Sequence, residues 1–162
     1  MRNGGFEDPD SVTSDYSIRA TGGTASLQSP STLAIITGPV SGEYYLPLLT
    51  VDSPKLEVFQ TLGGITAGTS VDCSIFYNYI GDSSGGSSFV ISVDVDDQRC
   101  GTASTTGSGG WKALGPGTVV VNTDSPRVTV RMMIDNVNGE RIPFALDDLV
   151  VIPTSERGLP SC

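Results

Sequence analysis

A chain of 162 residues with 18 Asp and Glu against 9 Lys and Arg carries a formal charge of −9, and it contains no histidine. That length fits one domain spanning residues 1–162, large enough to bury a single core, and the charge argues against nucleic acid and against an anionic membrane surface as partners. Without histidine the commonest general base and transition-metal ligand is missing, so Ser-His-Asp and Cys-His sites are excluded and the chain reads as non-catalytic.

Residues 3–8 read as a first short strand, Tyr16 to Arg19 as a second and Ala25 to Leu27 as a third. Leu33-Ala34-Ile35-Ile36 is apolar on both faces, as in a buried strand. Glu43 to Leu49 is also apolar, but Pro47 places it at an edge or a bulge. Lys55 to Leu62, Val71 to Ile80, Phe89 to Val95, Val119 to Val121 and Val128 to Ile134 alternate with period two, and Phe144 to Ile152 closes the set. Twenty glycines and ten prolines, with many serines and threonines, punctuate these runs at near-regular spacing. Ser83 to Ser88 and Thr102 to Gly110 read as loops, and no stretch shows a helical period. The expected fold is all-β, a sandwich of two antiparallel sheets.

Alternation assigns faces. Val71, Cys73, Ile75 and Tyr77 share one side, as do Phe89, Ile91, Val93 and Val95, and Val128, Val130, Met132 and Ile134. These apolar sets should meet in the core. If the three strands are neighbours, their outward face carries Phe76, Asn78, Ser92, Asp94, Arg131 and Asp135. Such a mixture suits a sugar. The apolar C–H face of a pyranose stacks on an aromatic ring, and its hydroxyls pair with amide, carboxylate and guanidinium groups. The alternative is a solvated sheet on which Arg131 pairs with Asp94 or Asp135. Tyr45 and Trp111 are further aromatic candidates. Asp94 and Asp135 invite a glycosidase reading, but an open sheet does not offer the deep pocket that raises the pKa of a general acid.

Three cysteines leave one odd, and Cys73–Cys100, Cys73–Cys162 and Cys100–Cys162 all stay open. If residues 71–80 and 89–96 form a hairpin about Ser83-Ser84, Cys73 lies near Val95 and Cys100 overshoots by about five residues, roughly 16 Å. Met1-Arg2 opens directly into the domain with no apolar leader and no membrane span, so the chain reads as a mature secreted domain.

Asn3-Gly4-Gly5-Phe6-Glu7 stands near the start and Leu146-Asp147-Asp148-Leu149-Val150-Val151-Ile152 near the end. First and last strands of a sandwich can lie side by side, which would bring hard carboxylate oxygens together and suits calcium. Glu7 and Asp148 are the candidate ligands of one structural calcium ion. Asp147 and Asp148 should point to opposite faces. These bookends resemble the jelly-roll, galactose-binding-like carbohydrate-binding modules related to the N-terminal domains of bacterial cellulase C, a group also common in fungal secreted proteins. Leu56 to Leu62 with Gly68-Thr69-Ser70, the strand Val71 to Phe76, the hairpin at Val93 to Asp97 and the turn Gly110-Trp111 resemble further stretches of that family. Val71 replaces a usual tyrosine, Asp97 a common glycine and Tyr16 a frequent tryptophan. The resemblance implies a secreted, non-catalytic, lectin-like domain that binds a polysaccharide or glycan on its concave sheet. A secreted structural or adhesion domain without a sugar site, or an enzyme on the same sandwich, are the other readings.

Overall fold

Stretches of period two, rich in β-branched and aromatic residues, become strands in the computed structural model of the chain, which describes residues 16–22, 24–27, 40, 45–51, 55–79, 88–105, 109–134 and 141–156. The described strands are β1 (Ser17–Thr21), β2 (Thr24–Leu27), β3 (Leu46–Val51), β4 (Lys55–Thr61), β5 (Ser70–Tyr79), β6 (Phe89–Val95), β7 (Gln98–Thr105), β8 (Lys112–Val120), β9 (Arg127–Ile134) and β10 (Arg141–Pro153). All pairings are antiparallel. The first sheet runs β1-β4-β9-β6-β7 and the second β2-β3-β10-β5-β8, which makes the two-sheet sandwich that the sequence predicts. The expected strands at 3–8 and 33–36, and the residues Glu7, Tyr44, Asp135 and Cys162, lie outside the described residues.

The inward sets expected on the three middle strands are all buried between the sheets. Tyr79 stacks on Phe89 across the gap, ring centroids 4.6 Å apart, and Phe144 packs against both. Pro47 sits in a strand flanked by β2 and β10, yet the pairing with β2 stops at Leu48. Beside Pro47 the described ladder runs to Ala145 alone.

Two expectations are corrected. Thr102 to Thr105 is not loop but the end of β7, an edge strand whose small polar residues carry no apolar alternation. Strands β5 and β6 do not form a hairpin: they belong to different sheets and face each other through the core. This crossing also closes the disulfide. Cys73 on β5 and Cys100 on β7 are bridged, with Cα atoms 6.2 Å apart. The sheets meet closely there. A Cβ on Gly117 of β8 would lie 1.7 Å from the Cys100 carbonyl oxygen, so only glycine fits.

At one end of the sandwich a carboxylate ties a turn to a neighbouring loop. Asp96 and Asp97 form the β6–β7 turn with φ of 50° and 60°, a left-handed pair that aspartate tolerates. The Asp96 carboxylate then accepts the backbone N–H groups of Asn122, Thr123 and Arg127 and the Thr123 hydroxyl, at 2.9–3.2 Å. Partial burial works against ionisation, but the Thr123 hydroxyl and these N–H donors outweigh it and hold the carboxyl below the usual aspartate range. A depressed folded-state pKa contributes stability that is complete above the unfolded value and lost as pH falls through the folded one. Asp96→Ala is therefore expected to cost about 1–2 kcal/mol at pH 7. Its gap to the parent should close below about pH 4. Melting curves at pH 7 and pH 3 check this, and an equal gap at both would contradict it.

Candidate functional site

Each sheet has one outer face, and the predicted site residues divide between them. On the first sheet β4, β9 and β6 align Glu57, Arg131 and Ser92 in one row and Phe59, Thr129 and Asp94 in the next. Arg131 is the hub. Its guanidinium reaches Glu57 at 3.0 Å, Asp97 at 2.7 Å and Asp94 through Nη1. Arg99 joins Asp94 at 2.5 Å and Lys55 joins Glu57 at 3.1 Å. Asp94 is only 1% exposed although it points outward, because two guanidiniums lie against it. Burial alone would lower the pKa of Arg131, but its three carboxylate partners raise it above its ordinary value. For Glu57 burial opposes the charge, yet Lys55 and Arg131 pull the carboxyl below its usual range. This is the paired arrangement weighed as the alternative in the sequence, with Glu57 and Asp97 added. All three guanidinium nitrogens of Arg131 already have carboxylate partners.

Phe76 and Asn78 belong to the other face, so the expected cluster of Phe76, Asn78, Asp94 and Arg131 on one surface is not formed. The physical reason is the crossing of β5 into the second sheet: alternation tells which way a side chain points, not which strands are neighbours. On that second sheet β5 lies between β10 and β8. Asn78 aligns with Ala145, Phe76 with Asp147 and Ala113, Ser74 with Val150, and Asp72 with Ile152 and Thr118.

Here Tyr45 and Trp111 come together. Their rings meet edge to face at 5.9 Å over Ala145, in a cluster separate from the main core. Ala145 is small enough to leave the space that both rings fill. Burial raises the phenol pKa of Tyr45, which stays neutral and able to donate. Phe76 and Trp111 are half-buried, while Val150 and Ile152 are 37% and 36% exposed. An apolar strip thus runs down the sheet from the aromatic pair. Polar groups line it. Asn78 is 3% exposed, and its Oδ1 has no hydrogen-bond partner among the described residues. Thr118 donates to Asp72 at 2.5 Å.

Asp147, expected from the sequence only to face opposite to Asp148, lies in the middle of this face and is fully buried. It accepts the Val40 N–H at 2.7 Å and the Asp148 N–H at 2.8 Å. The expected alternation of Asp147 and Asp148 fails, since β10 carries a bulge at this point and Asp148 has φ of 47°. The extra residue lets Leu149 return to the core and Val150 to the surface. Asp148 thus stands out of the ladder. With Glu7 outside the described residues, Asp148 is one carboxylate of the expected calcium set, and no group of three or more His, Cys, Asp or Glu gathers among the described residues.

No protein-family model and no curated protein matches the sequence. Solved structures do. The chain is similar to a xylan-binding domain of carbohydrate-binding-module family 22, at 12% identity and a TM-score of 0.58 over 87% of this chain and 88% of that one. It is similar to a family 61 module in complex with β-1,4-galactotriose at 13% identity and a TM-score of 0.54, covering 94% and 97%. A cyclase from Fischerella sp. TAU, bound to 4-(1H-indol-3-yl)butan-2-one, matches at 14% identity and a TM-score of 0.51 over 94% and 96%. The chain spans 28% of a longer match, the CBM22-1–GH10 modules of Clostridium thermocellum xylanase 10B complexed with xylohexaose. These likenesses establish the jelly-roll fold, shared with carbohydrate-binding modules.

Proposed function

We propose that this chain is a secreted, non-catalytic module that binds a neutral polysaccharide along the outer face of the second sheet. The observation that carries the reading is the juxtaposition on one face of Tyr45, Trp111 and Phe76 with the exposed Val150 and Ile152 and the polar Asn78. Rings and branched apolar side chains accept the C–H faces of successive sugar units. Solved structures of the same fold complexed with xylohexaose and with galactotriose support the ligand class. The inter-sheet disulfide supports an oxidising, extracellular setting. The test is retention of the purified chain on insoluble xylan and galactan and on a glycan array, with calcium present. Binding to one neutral polysaccharide is expected, and no binding to any would contradict the reading.

The cyclase of the same fold raises an enzyme reading. Against it, the central carboxylate of the face, Asp147, is buried and already accepts two backbone N–H groups, a setting that does not suit a nucleophile or a general base. Incubation with soluble xylan and galactan should release no reducing ends.

For calcium, the reading is that Glu7 and Asp148 share one structural ion, with Asp148 turned out of the ladder by its bulge. A ligand that binds only the folded state stabilises it by mass action, so EDTA should lower the melting temperature and added calcium should restore it. Identical curves with and without chelator would remove the metal from the proposal.

A further inference from the structure

The first sheet carries a second feature on its outer face, one row along from the Arg131 hub. Arg19 of β1 and Arg127 of β9 both place their guanidinium carbons over the ring of Phe59 on β4, at 5.7 Å and 5.3 Å from its centroid. Both arginines are exposed, and neither makes an ion pair among the described residues. Glu57 stands directly across from Arg19 on β4 but is taken by Lys55 and Arg131, and Asp96, which accepts the Arg127 backbone N–H, is turned to the 122–123 loop. Two like charges are therefore gathered on one ring, with no carboxylate paired to either among the described residues. The setting is unusual for this chain. Its Asp and Glu outnumber Lys and Arg 18 to 9, yet five cations (Arg19, Lys55, Arg99, Arg127, Arg131) sit on this one face. They stand against three described carboxylates there, Glu57, Asp94 and Asp97, and all three are already paired.

We infer that Arg19, Phe59 and Arg127 form a second binding site, for an acidic sugar unit carrying a carboxylate or a sulfate ester. Guanidinium groups present planar forks of donors that match either anion, and they remain charged at any working pH. The Phe59 ring supplies an apolar surface for the C–H face of the same unit. Cation–π contact holds both arginine heads beside that ring before ligand arrives, which reduces the ordering cost of binding. The anion relieves the repulsion between the two arginines, so the ligand gains from a contact that the free protein lacks. This site is separate from the neutral-polysaccharide face and does not depend on it.

The test uses affinity electrophoresis of the full chain in gels containing polygalacturonate, dextran sulfate or neutral galactan. Retardation by polygalacturonate, by dextran sulfate or by both is expected, and which one retards it tells carboxylate from sulfate. Arg19→Gln/Arg127→Gln should weaken that binding at least about tenfold, and added salt should weaken it further. Phe59→Leu, which keeps the apolar contact but loses the ring, should weaken it less. Lys112→Gln on β8 of the other sheet is the control for unspecific charge attraction and should change nothing, and Phe76→Ala should leave anion binding intact. Absence of retardation by both anionic polymers would overturn the site. So would an equal loss from Lys112→Gln and from the double arginine variant.

Discussion

Removing the Cys73–Cys100 bridge should lower the stability of the fold by about 3–4 kcal/mol. The bridge closes a loop of 27 residues, and constraining an unfolded chain by that much corresponds to roughly 3.6 kcal/mol at 25 °C. For a domain of this size, that is a fall in Tm of about 7–14 °C. The bridge joins β5 of one sheet to β7 of the other, at the edge where Gly117 lets β8 close against Cys100. Its loss loosens a contact between layers, not a turn within one. Either cysteine alone breaks the bond, so Cys73→Ala, Cys100→Ala and the double variant should show nearly the same Tm, a non-additivity peculiar to a covalent pair. A Tm indifferent to reductant, or peptide mapping that links Cys73 to Cys162, would contradict the pairing.

Asp94→Ala has the second largest expected effect, a loss of about 2–4 kcal/mol. The sequence places Asp94 on a solvated face, where its removal would leave the fold intact. In the structure it is sealed beneath Arg131 and Arg99. Without it, a half-buried guanidinium keeps only Glu57 and Asp97, and the site retains an uncompensated positive charge. Arg99→Ala offers the contrast. That side chain is 54% exposed, and an exposed ion pair is worth about 1 kcal/mol or less. Denaturant unfolding of the two variants should therefore separate them clearly. Equal, small losses would return the network to the class of ordinary surface pairs.

These two results bear on how much the sequence discloses. Period-two alternation named the inward residues correctly on β5, β6 and β9, since burying an apolar row is a property of a single strand. It could not name neighbours. Whether β5 pairs with β6 depends on how the intervening chain crosses between layers, and that crossing decided the disulfide, the separation of Phe76 from Arg131 and the burial of Asp94. Edge strands were hardest to read. Gln98–Thr105 is small and polar, and Lys112–Val120 contains Gly115-Pro116-Gly117, which an edge tolerates and a central strand does not. The meeting of Tyr45 with Trp111 was likewise hidden, because it takes β3, β10, β5 and β8 together to bring residues so far apart in sequence over Ala145. A doubled aspartate gave no sign that Asp147 would be buried or that a bulge would turn Asp148 out of the ladder.

The central claim is that neutral polysaccharide binds on the second sheet and not on the first. Isothermal titration of xylohexaose and β-1,4-galactotriose into the parent, Phe76→Ala, Trp111→Ala and Arg99→Ala tests it most directly. Loss of either ring should weaken binding of the preferred oligosaccharide by about 1–2 kcal/mol, roughly tenfold, with Tm close to that of the parent. Arg99→Ala, on the opposite face, should bind as the parent does. Parent-like affinity in both ring variants, with binding lost in Arg99→Ala, would contradict the claim and move the site to the charged face.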